Sequence, residues 1–448
     1  METAVNKKKP FGFYVCALSF SFERCAFYSV KWMLAIWIAT TAAGGGLGLS
    51  STKAAWMSAV FVAMTYITPT LGGYLADYWL SPRICVIAGM ILMGVGYLFA
   101  WQATSISMVW VMIIFAAVGT GLFKGNLSGV NGLLFENADE LNEAFSIQYS
   151  FVNIGSFTGT TFLVLLTASH GFNFVFMLCG ILLFIDACWF GFNSRSLGEA
   201  GKKPFKIDQR KFVDENTKDS EKTKPLTSGD KKRVVAIVLV TLFSIVFWLV
   251  WYLAYMPAYY YFGWGDGADF LNHANWFIGN FQIPTAWFDS LNALTCIILG
   301  PILGRLWTKM AHRPKGDMSM FKKTALGMIL VGVAYVVMVL ADVTRGGGQA
   351  PIILIAMVCL LMSVGEMVFS PLGNSFISKL APAKMMGLLL GFWPIAVFVA
   401  SLSYPAVYSL LSAHSFAMGY GLLAAIVIVL GAILWFASKK LDKLETAE

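Results

Sequence analysis

Seven ionisable side chains stand in stretches that are otherwise apolar. Glu23, Arg24 and Lys31 share one stretch, Lys124, Asp186 and Glu366 occupy one each, and Asp289 lies near the start of another. A charge surrounded by hydrocarbon is expensive, so each of these is a candidate functional group. Arg24 and Lys124, both in the first half of the chain, together make an anion site in kind. Glu366, in the second half, makes a cation site in kind. A cavity cationic on one wall and anionic on the other suits a zwitterion, such as an amino acid or a short peptide. Glu23 and Arg24 are helical neighbours, about 100° apart around the axis, so each is expected to need its own partner or a water-filled cavity. A second distribution has Glu23 neutralising Lys124 and Arg24 bonded to backbone carbonyls. Charge counting leaves both open.

The elements that must position these groups follow from composition. The 448 residues are 58% hydrophobic and 12% charged, with a mean hydropathy of +0.70. Apolar runs of about 20 residues, long enough to cross a bilayer, recur along nearly the whole chain. Helices are predicted near 11–40, 54–79, 84–102, 107–134, 146–168 and 173–193, and again near 232–262, 284–308, 321–341, 350–378, 385–411 and 416–437. The first follows Lys7–Lys9, is too long for a signal peptide and precedes further spans, so it is read as retained. The reading is an all-α membrane protein of about twelve transmembrane helices in two six-helix bundles, residues 1–193 and 232–448. The polar stretch 194–231 between them is read as a solvated cytoplasmic linker.

The net charge of +8 does not indicate nucleic acid, because the basic residues collect at the chain ends and in alternate loops. The loops predicted outside hold Lys53 and Arg345, whereas Lys7–Lys9, Arg83, the linker lysines, Lys309, Arg313, Lys315, Lys322, Lys323, Lys379, Lys384 and the tail lysines fall inside. That bias puts both termini in the cytoplasm. The seven cysteines stand singly, with no metal or disulfide spacing. No nucleophile–base pair or phosphate loop points to an enzyme, and no cofactor or metal is expected.

Two bundles joined by a long inner loop are the layout of a major facilitator transporter. Gly72-Gly73-Tyr74-Leu75-Ala76-Asp77, followed by Ser81-Pro82-Arg83, resembles that superfamily's G-x-x-x-D-x-x-G-x-R signature, with Ser81 near the second glycine. Asp77 and Arg83 could form a cytoplasmic latch.

Six segments in order resemble one family of that superfamily, the proton-dependent oligopeptide transporters. Glu23-Arg24-Cys25-Ala26-Phe27-Tyr28 resembles E-x-x-E-R-F-x-Y-Y, and Gly119–Asn126 resembles G-T-G-x-x-K-P-N. Phe145–Gly155 is similar to the helix 5 signature, and Ile283–Asn292 to the start of helix 8. Gly365–Gly373 resembles G-E-x-x-x-S-P-x-G, and Met386–Trp393 the start of helix 11. The resemblance covers most of the chain. It implies a proton-coupled symporter that imports di- and tripeptides. The peptide's carboxyl end would meet Arg24 and Lys124, and its amino end Glu366 with Asn292. Tyr28, Tyr66 and Asn153 would hold the backbone, and Trp248 and Trp393 would shape side-chain pockets. Glu23 and Glu366 would handle the proton. Short peptides, protons and membrane lipid are the implied partners, acting on a monomer in a bacterial inner membrane.

Two positions depart from the family pattern. Phe20 stands where the motif's first glutamate would be, and Tyr252 where a helix 7 glutamate would pair with the basic residue at Lys31. Both losses thin the proton-handling set. Asp289, where the family has glutamine, is expected to approach Lys31 when the outer side is closed; an ordinary helix N-cap is its other reading. The losses leave room for weakened proton coupling or another small solute, such as an amino-acid derivative or a nitrate-like anion. Glu366 disfavours an anion alone. A receptor that binds without transport is the more distant alternative.

Overall fold

The structure, a computed structural model, describes residues 9–135, 138–207, 226–314 and 316–445. Helices dominate. In the first half they are α1 (Phe11–Ala39), α2 (Ser51–Tyr78), α3 (Pro82–Trp101), α4 (Ile106–Gly132), α5 (Ala138–Thr158) and α6 (Leu165–Asn193). A π-helical turn, Gly159–Leu163, carries α5 on into the first residues of α6. The break between the fifth and sixth spans comes at Gly171, whose φ of 80° suits glycine.

The second half holds α7 (Ser228–Leu253), α8 (Trp287–Ala311), α9 (Met320–Arg345), α10 (Ile352–Phe369), α11 (Gly373–Leu380), α12 (Met386–Ser412) and α13 (Phe416–Glu445). A capping box of Thr227 and Asp230 starts α7, and a π turn, Pro257–Tyr261, ends its span. Ser370–Leu372 tightens to a 3-10 turn around Pro371, so α10 and α11 are two parts of the tenth span. The spans therefore number twelve among the described residues. Among the described residues, ten helices are apolar and long enough to cross a membrane by themselves. Neither α1 nor α5 is among them: α1 carries Glu23, Arg24 and Lys31, and α5 is rich in polar residues. The strands are two-residue pieces in the loops near 274–282 and 350–351.

The chain forms two compact units. One comprises 1–30 and 67–217, the other 31–66 and 218–448. α1 and α2 are thus each shared: the ends that flank loop 40–50 belong with the second half of the chain. In the second unit Tyr260 donates to the Ala35 carbonyl at 2.7 Å and Tyr404 to the Ala55 carbonyl at 3.1 Å. Thr41 donates to Asp266, and the Ser51 amide, at the start of α2, donates to Asp269.

Each unit uses one device to bring helices close. A Cβ placed on Gly89 of α3 would stand 2.6 Å from the Gly119 carbonyl oxygen of α4, and the reverse also holds. In the second unit Gly327 of α9 and Gly365 of α10 repeat this at 2.9 and 3.0 Å. Without a hydrophobic drive in lipid, close packing through small residues is what holds such helices together.

The stretch 194–231 differs from a freely solvated linker over its first part. Leu197 and Ala200 are buried, and Phe205 lies over Gly129. The backbone amides of Phe205 and Lys206 donate to the carbonyls of Ala76 and Asp77. Residues 208–225 lie outside the described residues.

Gly89→Leu and Gly327→Leu should each destabilise the fold by about 1–3 kcal/mol through overpacking. Thermal unfolding of the detergent-solubilised protein would show it as a lowered midpoint. Gly421→Leu, with open space around it, should leave the midpoint in place. Equal midpoints for all three would contradict the close-approach account.

Candidate functional site

The first unit buries a charge cluster on α1. Glu23 is wholly buried and Arg24 is 7% exposed. Arg24 forks onto Glu23, with Nε donating to Oε2 and Nη2 to Oε1, both at 2.5 Å. The expectation that each neighbour needs a separate partner is corrected here. The guanidinium is long enough to fold back across the angle between adjacent positions, and the bidentate geometry rewards it. The same guanidinium lies 4.5 Å from the Phe27 ring centroid and 5.8 Å from that of Tyr28. Lys124, half-buried on α4, is within electrostatic reach of both Arg24 and Glu23. Phe20, one turn before Glu23, packs edge-on against Phe123 at 5.7 Å. The position without a carboxylate has become an apolar contact beside Lys124.

The fifth span comes very close to this cluster. A Cβ on Gly155 would stand 2.2 Å from the Ser21 carbonyl oxygen, and one on Gly159 would stand 2.3 Å from that of Cys25. Asn153 spends its amide on the Tyr149 carbonyl of its own helix at 2.9 Å. At the other end of the unit, Arg83 donates to the carbonyls of Ala200 and Gly198 at 2.6 and 2.7 Å, and Ser81 to that of Gly201. Arg83 thus clasps the docked start of the 194–207 segment, and the Asp77 carbonyl receives Lys206 from it.

In the second unit α8 organises the charges. Asp289 and Asn292 are three apart and share one face. Asn292 Nδ2 donates to Glu366 Oε2 at 3.1 Å and to Ser363 Oγ at 2.9 Å. Lys31 meets Asp289 at 3.3 Å, and Tyr259 also donates its hydroxyl to that carboxylate. Lys31 lies 4.5 Å from the Tyr255 ring centroid. Beside it is a cavity of about 20 Å³ lined by Ser58, Tyr252, Tyr255, Tyr259 and Tyr404, about the size of one water. Tyr252 donates to Tyr66 at 3.4 Å and stacks on Tyr404.

The two tryptophans sit nearby within the same unit. Trp248 is buried against Trp251 and Tyr252. Trp393 lies across Gly373, where a Cβ would stand 2.4 Å from its ring, and packs on Phe369. The role of Gly373 and the roles of Tyr255 and Tyr259 were not read from the sequence. The run Tyr252, Tyr255, Tyr259, Tyr260, Tyr261 around Pro257 was the available signal, since a span this rich in hydroxyls needs partners.

The Major Facilitator Superfamily pattern matches residues 22–393, and the chain belongs to that superfamily. It is therefore a multi-pass membrane protein of a transporter fold. A di-/tripeptide transporter of Lactococcus lactis subsp. cremoris is 24% identical over 475 aligned positions, covering 94% of each chain. A peptide transporter of Yersinia enterocolitica subsp. palearctica is 27% identical over 436, covering 84% of this chain and 83% of its own. Among solved structures, the peptide transporter POT in complex with alafosfalin matches with a TM-score of 0.85 at 21% identity, over 97% of this chain and 96% of that one.

A cycle of Lys31→Ala, Asp289→Ala and the double variant tests the buried pair. Each single change should cost about 3–5 kcal/mol by stranding a charge. The double should cost less than the sum, measured by denaturant unfolding in detergent. Additive losses would show that the two side chains do not support each other.

Proposed function

We propose that this protein is a proton-coupled symporter that imports di- and tripeptides by alternating access in a bacterial cell membrane, with both termini in the cytoplasm. The observation that carries the reading is the pair of buried sites of opposite sign, Arg24 with Lys124 in one unit and Glu366 with Asn292 in the other. It occurs in a chain whose relatives are named for di- and tripeptide transport. The ends of a peptide are the same for every side chain, so a site that reads the ends accepts many cargoes.

The peptide's carboxylate takes the fork of Arg24 in place of Glu23, with Lys124 as a second cation. Its ammonium group takes Glu366. Tyr28, Tyr66 and Asn153 reach the backbone, while Trp248 and Trp393 bound the side-chain pockets. Glu23, released from Arg24, becomes able to accept a proton, and Glu366 is the second proton-handling group. Lys31 and Asp289 hold the outer side closed and must part when it opens, as must the contacts of Thr41 and Ser51. Arg83, with Asp77, braces the cytoplasmic side. The protein acts as a monomer.

Reconstituted protein should accumulate labelled dialanine when the outer pH is lower, and a protonophore should abolish accumulation. Arg24→Ala and Glu366→Gln should each cut the initial rate at least about tenfold, the equivalent of one lost charge-assisted contact. Uptake indifferent to the gradient would contradict coupling. The absence of any dipeptide uptake or competition would contradict the peptide cargo.

A further inference from the structure

Asp186 is a buried acid that this scheme does not use. It lies on the inward stripe of α6 with Phe176, Cys179, Leu183 and Phe190, all fully buried, and is itself 0% exposed. Neither carboxyl oxygen has a hydrogen-bond partner, and no cation pairs with it among the described residues. An ionised carboxylate in such surroundings without a partner is strongly disfavoured, so the group calls for an explanation.

The neighbours of Asp186 are specific. From α1, Cys16, Ser19 and Glu23 are its electrostatic or polar neighbours. Ser19 Oγ faces it without a formed hydrogen bond. Ser19 and Glu23 are four apart, so they share one face of α1. Cys179 precedes it by two turns on its own helix. Tyr97 of α3, an electrostatic neighbour of Glu23 and Arg24, also has a buried hydroxyl without a bonding partner. Asp186 thus adjoins Glu23, which Arg24 forks onto and which lies within electrostatic reach of Lys124.

Counting charge shows what a proton there would do. Arg24 and Lys124 contribute two positive charges, and Glu23 one negative. With a proton on Asp186 the cluster carries a net positive charge, which one incoming carboxylate neutralises. Without that proton the cluster is already neutral, and a further anion is less welcome. Proton binding and anion binding therefore favour one another, and such coupling is reciprocal.

We propose that Asp186 binds and releases a transported proton, and that its protonation admits the substrate's carboxylate to the Arg24–Lys124 site. The proposal rests on the peptide-symport reading and adds a proton site to it. The proton enters and leaves as such, bound to one carboxyl oxygen, with no other bond made or broken.

Two measurements test it. The first is infrared titration of purified, ligand-free protein, in which the protonated-carboxyl band assigned by Asp186→Asn should disappear as pH rises. A band that persists at every pH would mark a permanently neutral structural acid and overturn the proposal. The second is dialanine binding against pH. The wild-type affinity should fall with rising pH, by up to about tenfold per pH unit, the limit for one linked proton. Asp186→Asn should lose one linked proton's share of that dependence, Glu23 and Glu366 remaining as proton-handling groups, and should accumulate less dialanine under a pH gradient. Asp186→Glu, which retains a titrating group, should keep the pH dependence and serves if the asparagine variant does not fold. An asparagine variant with wild-type pH dependence would overturn the proposal. If the wild type binds no dialanine, the peptide reading fails, and the infrared titration still decides whether Asp186 titrates.

Discussion

A charge cannot be left alone in hydrocarbon, and the placement of seven charges governs how this chain is built. Each solution is different. Arg24 is neutralised by its own neighbour Glu23, with aromatic rings beneath it. Lys31 reaches across 258 positions of sequence to Asp289, which Tyr259 also binds. Glu366 accepts from Asn292. Breaking such a pair strands a buried charge at a cost of several kcal/mol. Pairs of this kind can therefore hold one state firmly and still exchange partners when a charged substrate offers an equal replacement.

That exchangeability is what a transporter requires. Arg24 and Glu23 are both buried, and on the proposed reading a peptide carboxylate would substitute for Glu23 without leaving Arg24 unpaired. α8 joins two such sites: Asp289 and Asn292, on one face, connect the Lys31 pair to Glu366. The two contacts lie one turn apart on the same helix. The two π turns stand beside these sites, one passing Cys25 next to Arg24, the other supplying Tyr259. Such turns re-aim a helix locally at little cost.

Much of this was legible in the sequence, for physical reasons. Most of the twelve spans follow from hydropathy, because lipid leaves few alternatives to a helix. The approach of Lys31 to Asp289 followed from two unmatched charges placed near the same end of their helices. What stayed hidden depended on side-chain reach and small local departures. Adjacent helical positions diverge, yet arginine is long enough to return to Glu23. The segment 194–207 looked like solvated linker because its polar residues outnumber Leu197, Ala200 and Phe205, the three that anchor it. Neither π turn has a strong sequence mark beyond Gly159 and Pro257.

The central claim is that the site reads the charged ends of its substrate. The direct measurement is equilibrium binding of dialanine, its C-terminal amide and its N-acetyl form to the purified protein and to Glu366→Gln. The account predicts that the amide loses most of its affinity for both proteins, whereas acetylation costs affinity in the wild type and little in Glu366→Gln. Equal binding of all three compounds to the wild type would contradict it.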